Sequence, residues 1–200
     1  VFGLASSSHN WSATRLLLTG IVISAGWGAV INILLTTSAN NSVYSMLFWL
    51  MGDLSVSRAG FVSISILVLG LLGMMYFARA LNVLSRGDLQ ASALGVNVPR
   101  LKLILYFTAS VLTACAVSIA GTIGFVGLVI PHMLRLLGAR DHRVLIPASL
   151  LLGGNFLMIA DSFARTVIAP QQLPVGVVTA VIGVPVFLLI LRHTGKRIRE

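Results

Sequence analysis

Residues 121–147 of this 200-residue chain form a glycine-broken apolar run that ends abruptly in arginine and histidine. The run contains no Lys, Arg, Asp or Glu before Arg135, and Arg140, His142 and Arg143 follow closely. This pattern places one part of the segment in an apolar environment and the other in water. A boundary between hydrocarbon and water suits it better than the interior of a water-soluble domain.

The composition of the whole chain also indicates a membrane protein. Hydrophobic residues make up 57% and charged residues only 10%, with a mean hydropathy of +0.98. Soluble domains carry about 25% charged residues. A chain this apolar cannot bury its hydrophobic surface in one aqueous fold, so lipid is expected to be its solvent and a partner along its whole length.

The basic residues give a net charge of +9 and a sequence pI near 11.4. Basic chains often bind nucleic acid, but here the charges fall in short bursts between apolar runs. That distribution is typical of cytoplasmic loops between membrane helices, so no nucleic-acid partner is expected. The single cysteine, Cys115, lies in an apolar run and is expected to be a buried, inert thiol.

Six stretches are apolar enough to be membrane spans, for which about 20 residues are needed. They are residues 16–36, 60–80, 101–120, 121–137, 145–168 and 173–192. The fourth is short and follows the third after a glycine turn, so we expect a broken or partly re-entrant helix. Residues 42–51 are too short to cross and, with their aromatic side chains, suit an interfacial helix. The predicted fold is an all-α, polytopic transmembrane helix bundle.

Alternating the loops across these spans separates the charges. Of the 14 Lys and Arg residues, only Arg58 and Arg165 fall on one side, which leaves 12 on the other. The positive-inside rule makes the basic side cytoplasmic and places the C-terminus there.

Small residues also recur at four-residue intervals, which favours close helix packing: Gly20, Ser24 and Gly28; Ser110, Ala114 and Ser118; Gly176 and Ala180.

Motifs for catalysis and metal binding are missing from the sequence. There is no phosphate-binding P-loop and no HExxH, and His132 and His142 lack the further ligands that a zinc site needs. Asp161 is the only acidic residue within a predicted span, so no pair of carboxylates suggests protease or proton-relay chemistry. We expect no metal or cofactor, and no enzymatic activity of the chain by itself.

Asp161 and Arg165 lie four residues apart, so on a helix they share a face and can pair. A structural ion pair near the outer interface is one interpretation, since intramembrane charges are usually paired. The other is that Arg165 belongs to an outer docking surface for an acidic partner.

Residues 86–99 form a predicted cytoplasmic loop with one short helical piece at 88–94. Asp88 would lie near the helix N-terminus, where an anion suits the helix dipole, and Gly95 is a plausible C-cap. Such a helix could fit a groove of another subunit, or be one turn in an ordinary loop; the pattern does not favour either. For residues 140–143 a solvated basic loop is the favoured interpretation.

Several longer blocks resemble the FecCD or BtuC-like permease family of ABC importers for iron–siderophore complexes, haem and vitamin B12. The resemblance covers essentially the whole chain. The matching blocks are Gly87-Asp88 through Val98, GTIGFVGLVIPH at 121–132, Asp141-His142-Arg143 with Pro147, Ala160-Asp161 through Arg165, and LPVGVVTA at 173–180 with Gly183 and Pro185.

The resemblance implies a transmembrane permease subunit, of which residues 1–200 would be the C-terminal portion of a longer chain. The fold would be a BtuC-like bundle, and transport would proceed by alternating access across the bacterial inner membrane. The implied partners are a second permease subunit in a homo- or heterodimer, a cytoplasmic ABC ATPase dimer, and a periplasmic or lipid-anchored substrate-binding protein. An iron–siderophore is the first choice of substrate, with haem and cobalamin close behind.

In such permeases the loop matching residues 86–98 carries the coupling helices that dock on the ATPase. The resemblance therefore implies coupling roles for Arg86, Gly87, Asp88, Ala91, Leu94, Gly95, Val96 and Asn97. Arg165 would dock the binding protein. Two positions depart from the family pattern: Thr122 replaces a usual proline, and Leu89 replaces a common second acidic residue.

Two other classes of function stay open at this point. An ion-coupled secondary transporter would need intramembrane ionisable groups, for which Asp161 is the only candidate. A non-transporting membrane scaffold would have no need of a sensitive, exposed helix at 88–94.

Overall fold

The computed structural model of the protein describes residues 13–55 and 60–197. The chain divides into two compact units, residues 1–47 and residues 48–200. Among the positions considered above, residues 1–12, Arg58 and Arg199 lie outside the described residues. The side chains of Arg15, Lys196 and Arg197 also lie outside what the structure describes.

Every regular element of the described ranges is an α-helix, which confirms the predicted all-α fold class. The first unit contains α1 (Ala13–Thr37) and most of α2 (Asn40–Leu50). The second unit contains α3 (Phe61–Tyr76), α4 (Ala78–Leu84), α5 (Asp88–Ala93), α6 (Val98–Ala120), α7 (Val126–Leu136), α8 (His142–Thr166) and α9 (Val175–Arg197).

Four of the described helices are long and apolar enough to cross a membrane: Leu17–Thr37 within α1, then α6, α8, and Val175–Arg192 within α9. The helices α3 and α4 together make a fifth candidate, bent by 55° between Tyr76 and Ala78. The predicted count of six is therefore approximate. The predicted span at 60–80 is a bent pair of helices rather than one continuous helix, and the sequence analysis did not foresee this bend.

The predicted fourth span is broken, as expected for residues 121–137. Residues 121–125 are irregular, and α7 follows with 11 residues. A helix of this length rises about 16 Å, roughly half the thickness of the hydrocarbon core. Irregular backbone at membrane depth requires packing against protein. This segment has it, because Gly121 lies against the backbone of Trp49 and Phe125 lies against Gly183.

Polar side chains cap the starts of two helices of the second unit, α6 and α8. The Asn97 side chain accepts a hydrogen bond from the backbone N–H of Arg100 at 3.2 Å at the start of α6. Asp141 does the same for the N–H of Arg143 at 2.8 Å at the start of α8. Side-chain caps of this kind satisfy N–H groups that the helix itself leaves without partners.

Small residues form the buried face of α8, which packs on α7 and α9. Gly153, Ala160 and Ala164 are buried and lie on one side of the helix. The predicted packing stripe of α6, with members Ser110, Ala114 and Ser118, is exposed instead. That prediction is wrong for contacts within this chain, because the spacing of small residues shows a face that permits close approach but not what approaches it.

The packed region of the second unit lies where α6 ends and α9 begins. Val175 and Thr179 are 1% and 0% exposed, and the Thr179 hydroxyl donates to the carbonyl oxygen of Gly176 at 3.0 Å. We call this region the glycine end of the unit, after Gly52, Gly121 and Gly176. Residues 85–97 and 137–141 lie at the other end, the loop end, as the contacts below show.

Candidate functional site

The segment 86–98 lies at the loop end and contains a short helix held by glycines on both sides. Gly87 precedes α5 with φ of 117°, and Gly95 follows it with φ of 81°. The N–H groups of Gly95 and Val96 donate to the carbonyls of Ser92 and Ala91 at 3.0 Å each, the two bonds of a Schellman motif. The C-cap residue is Leu94, and Gly95 is the next residue, whose positive φ favours glycine.

The short helix α5 has one buried and one exposed side. Ala91 is 0% exposed, whereas Leu89 and Leu94 are 89% and 67% exposed. A leucine with that much of its surface in water loses the free energy that burial would give, about 1.5–3 kcal/mol per side chain. The segment therefore presents two large apolar side chains on a rigidly capped helix.

Charged and polar groups fix this segment to α6. Lys102 Nζ donates to Asp88 Oδ2 at 2.5 Å, with the Lys102 and Asp88 side chains 30% and 59% exposed. Asn97 caps α6. The Arg86 side chain is exposed and makes no polar contact with the described residues of the segment. All eight residues predicted from the resemblance lie in this one loop, and their roles stay predictions.

A polar cluster that the sequence analysis missed joins α4 to α8 at the loop end. Asn82 Nδ2 donates to Asp141 Oδ1 at 2.6 Å. Asn82 Oδ1 accepts from the backbone N–H of His142 at 2.8 Å and lies 2.7 Å from His142 Nδ1. Residues 140–143 are therefore not only a solvated basic loop, because Asp141 and His142 bind an amide some 60 positions earlier in the chain.

These hydrogen bonds lower the pKa of Asp141. The Asn82 amide is the largest cause and the Arg143 backbone N–H the second, because both donate to the carboxylate and favour its charged form. The Asp141 carboxylate is consequently ionised throughout the neutral range, where it acts as an acceptor only.

At the end of α8 away from the loop end, Arg165 Nε donates to Asp161 Oδ2 at 2.7 Å. The Arg165 side chain is 40% exposed and that of Asp161 25%. Asp53 adds to the negative potential at the guanidinium. This geometry is the intrahelical ion pair that the four-residue spacing predicts, and it leaves part of Arg165 open to solvent.

Three stretches of backbone, 50–53, 120–122 and 175–176, come close together at the glycine end. The Asp53 N–H donates to the Ala120 carbonyl at 2.9 Å, and the Val175 N–H to the Gly52 carbonyl at 3.0 Å. The Thr122 hydroxyl donates to the Leu50 carbonyl. This contact gives Thr122 a structural role of its own.

Neither end holds groups suited to a metal ion in the part of the chain that is described. Within residues 13–55 and 60–197, no three His, Cys, Asp or Glu side chains come together. Cys115 is half-buried, with its Sγ 3.7 Å from the carbonyl oxygen of Ser63.

The arrangement of helices matches that of a known transporter. A solved structure described as an inward-facing conformation of an ABC transporter, assigned to the metal-chelate type, superposes with a TM-score of 0.83. It is 31% identical to this chain and covers 91% of it, while the chain covers 61% of that structure. Together with the apolar helices, this defines a multi-pass membrane protein with the fold of an ABC transporter permease.

The sequence identifies the family of ABC transporter permeases to which the chain belongs. Residues 1–193 match the FecCD transport family, and the chain belongs to that family. The cobalamin import system permease protein BtuC of Halobacterium salinarum is 43% identical over 199 residues, which are 98% of this chain and 53% of that protein. The hemin transport system permease protein HmuU of Yersinia pestis is 40% identical over 201 residues, 98% of this chain and 60% of that protein. The chain thus spans between half and two thirds of these relatives' length.

Proposed function

We propose that this chain is the membrane-spanning permease part of a binding-protein-dependent ABC importer for a metal chelate or a related large cofactor. An iron–siderophore complex is the first candidate for the substrate. Haem and cobalamin are the alternatives, and the names of the two relatives keep both in view. The observation that carries the proposal is α5, a capped helix with Ala91 buried and Leu94 exposed at one end of the unit.

The shape and rigidity of this segment support the proposed ATPase-docking role. A docking helix must transmit force without unfolding, and the Schellman motif at Gly95 and the Asp88–Lys102 pair hold α5 in place. Leu89 and Leu94 offer the apolar contact that a groove on another subunit can bury. ATP binding and hydrolysis would occur on a separate dimer of ATPase subunits, and this chain would supply no catalytic residue.

Transport would follow alternating access. A periplasmic or lipid-anchored binding protein would deliver the chelate at the end of the bundle that carries Arg165, whose half-exposed guanidinium can meet an acidic side chain. Movement of the ATPase at α5 would open the bundle towards the other side of the membrane. This is because each partner binds the outward-open and inward-open conformations with different affinity. A second permease subunit, identical or homologous, would complete the path across the bacterial inner membrane. The C-terminus and the loop end would both face the cytoplasm.

The chain offers a matched pair of positions for testing this function. Leu94 and Leu137 are both exposed leucines at the loop end, 67% and 79% respectively. The permease from the complete gene, in nanodiscs, would be used to capture purified ATPase of the same transport system. We expect Leu94→Glu to lower capture about tenfold, because a carboxylate replaces an apolar anchor, and Leu137→Glu to leave it unchanged.

The controls make the result decisive. The two variants must show the same thermal stability as the wild type, so that a loss of capture reports the surface and not the fold. Failure of the stable wild-type permease to capture the ATPase would contradict the proposed function. Equal losses in both variants would contradict the assignment of the docking surface to α5.

A further inference from the structure

We propose that Asn82 is the positioning residue through which movement of α5 reaches α8. This inference rests on the proposed function, since it concerns how a displacement made by the ATPase at α5 enters the membrane helices. It assigns a role to a residue outside segment 86–98.

The helix α5 is connected to α8 through the packing of one helix between them. The helix α5 packs on α4 and on the start of α6, and its one buried residue is Ala91. The helix α4 packs in turn on α8. Between α5 and α8 there is thus one intervening element, a seven-residue helix that is short enough to move as a rigid piece.

Asn82 lies near the end of α4 and binds the first turn of α8 through both ends of its amide. Its Nδ2 donates to Asp141 Oδ1 at 2.6 Å, and its Oδ1 accepts the His142 N–H at 2.8 Å. The side chain of His142 lies 2.7 Å from the same oxygen. Because the Asn82 amide donates one hydrogen bond and accepts another, it fixes both the distance and the orientation of α4 relative to α8. Apolar packing alone does not fix both.

The chemistry requires an amide at one of the two facing positions. Asp141 is a charged acceptor, and its oxygen also accepts the Arg143 N–H to cap α8. Its partner must therefore donate on that side, while it must accept from His142 on the other. Asparagine has a donor and an acceptor on one short side chain, whereas aspartate at position 82 would set two carboxylates against each other.

Exchanging the two side chains is expected to restore the link. In the double variant Asn82→Asp/Asp141→Asn, the amide and the carboxylate change places. In the wild type the single oxygen Oδ1 of Asp141 accepts both from Asn82 and from the Arg143 N–H, so the new asparagine at 141 must turn its amide to keep its oxygen on the Arg143 N–H and to bring its Nδ2 to the carboxylate at 82. That carboxylate can still accept from His142, so both directions of bonding are restored.

The test uses the permease from the complete gene, reconstituted in nanodiscs with its ATPase and binding protein. The readouts are ATPase capture, thermal stability, and the stimulation of ATP hydrolysis by the binding protein. We expect Asn82→Asp to keep ATPase capture. The stimulation of ATP hydrolysis by the binding protein should fall about tenfold, because one strong hydrogen-bonded link is broken. Asp141→Asn alone should change little, because its amide oxygen still accepts from Asn82. The double variant should recover the stimulation.

Several results would overturn the inference. Wild-type stimulation in Asn82→Asp would show that the link carries no motion. A loss that the double variant does not recover, or a loss that merely follows thermal stability across the variants, would show that Asn82 has only a structural role. Asn82→Leu, which lacks both bonds and introduces no charge, must behave as Asn82→Asp does, and wild-type stimulation in it would equally overturn the proposal. If the wild-type permease captures no ATPase, the proposed function fails and this inference fails with it.

Discussion

Gly176, in the first turn of α9, lies directly against the carbonyl group of Met51. A Cβ at position 176 would overlap the Met51 carbonyl oxygen and stand 2.9 Å from the carbonyl oxygen of Thr122. Both neighbours are backbone atoms, so neither can turn aside as a flexible side chain could. A single methyl group is therefore expected to separate the segments that meet at the glycine end.

We expect Gly176→Ala to lower the free energy of unfolding by about 1–3 kcal/mol, the usual cost of overpacking. Gly154→Ala on α8 is the matched control, because a Cβ there meets no atom within 4 Å. Alanine at 154 should be neutral or stabilise by up to about 1 kcal/mol through helix propensity. Thermal unfolding in detergent measures both. Equal melting temperatures for the two variants would show that the contact of Gly176 with Met51 does not limit stability.

Gly95 and Gly138, which follow α5 and α7, form a second matched pair. Both have a positive φ, 81° and 97°, and a Cβ added at either position would meet no atom within 4 Å. Alanine at either position should cost about 1 kcal/mol in backbone strain, so their effects on stability should agree. We expect Gly95→Trp to abolish ATPase capture and Gly138→Trp to preserve it, because only Gly95 adjoins α5. Capture assays on variants of matched stability measure this, and loss in both variants would argue that the docking surface extends over the whole loop end.

The loop end also shows where prediction from the sequence succeeds. The short helix and the glycine after it were predictable because their determinants are local: Asp88 begins α5, and the N–H groups of Gly95 and Val96 close it by bonding to carbonyls three and five positions before them. Asn82 was not predictable, because its partners Asp141 and His142 are 59 and 60 residues away. Nothing in the residues around Asn82 indicates which polar groups will be brought to it.

At the other end of the unit the same limit applies. The spacing of Gly176 and Ala180 predicts close helix packing, whereas the group that lies against Gly176 is a backbone carbonyl in a turn and not another helix. The break at residues 121–125 was expected from the glycines. The left-handed conformation of Phe125, φ of 66°, was not expected, because a residue other than glycine rarely has a positive φ.

The lowered pKa of Asp141 predicts how the link between α4 and α8 depends on pH. Since the folded pKa lies below the unfolded value of about 3.9, the carboxylate contributes stability that is fully present above that value. The contribution is lost as the pH falls through the folded pKa, because the protonated carboxyl no longer accepts from Asn82 as strongly. Because Asp141 also favours the charged form of His142, the effect of the Asp141 carboxylate is compared below the titration of that imidazole. From about pH 4 downwards we expect the stability difference between the wild type and Asp141→Ala to shrink. Thermal unfolding of both proteins over that acidic range checks the sign, and a difference that grew as the pH fell there would contradict it.

The ion pair of α8 predicts that stability and docking can be separated at Arg165. The single variants Arg165→Asp and Asp161→Arg each place like charges four residues apart and should destabilise the protein by about 1 kcal/mol. The double variant Asp161→Arg/Arg165→Asp restores an ion pair, so its melting temperature should return towards that of the wild type. Its positive charge, however, now lies one turn further from the end of the helix, and a negative charge stands at 165. If Arg165 meets an acidic residue of the binding protein, affinity for that protein should stay reduced about tenfold in the stable double variant, while ATPase capture is unchanged. Recovery of both stability and affinity would instead show that Arg165 serves only the helix.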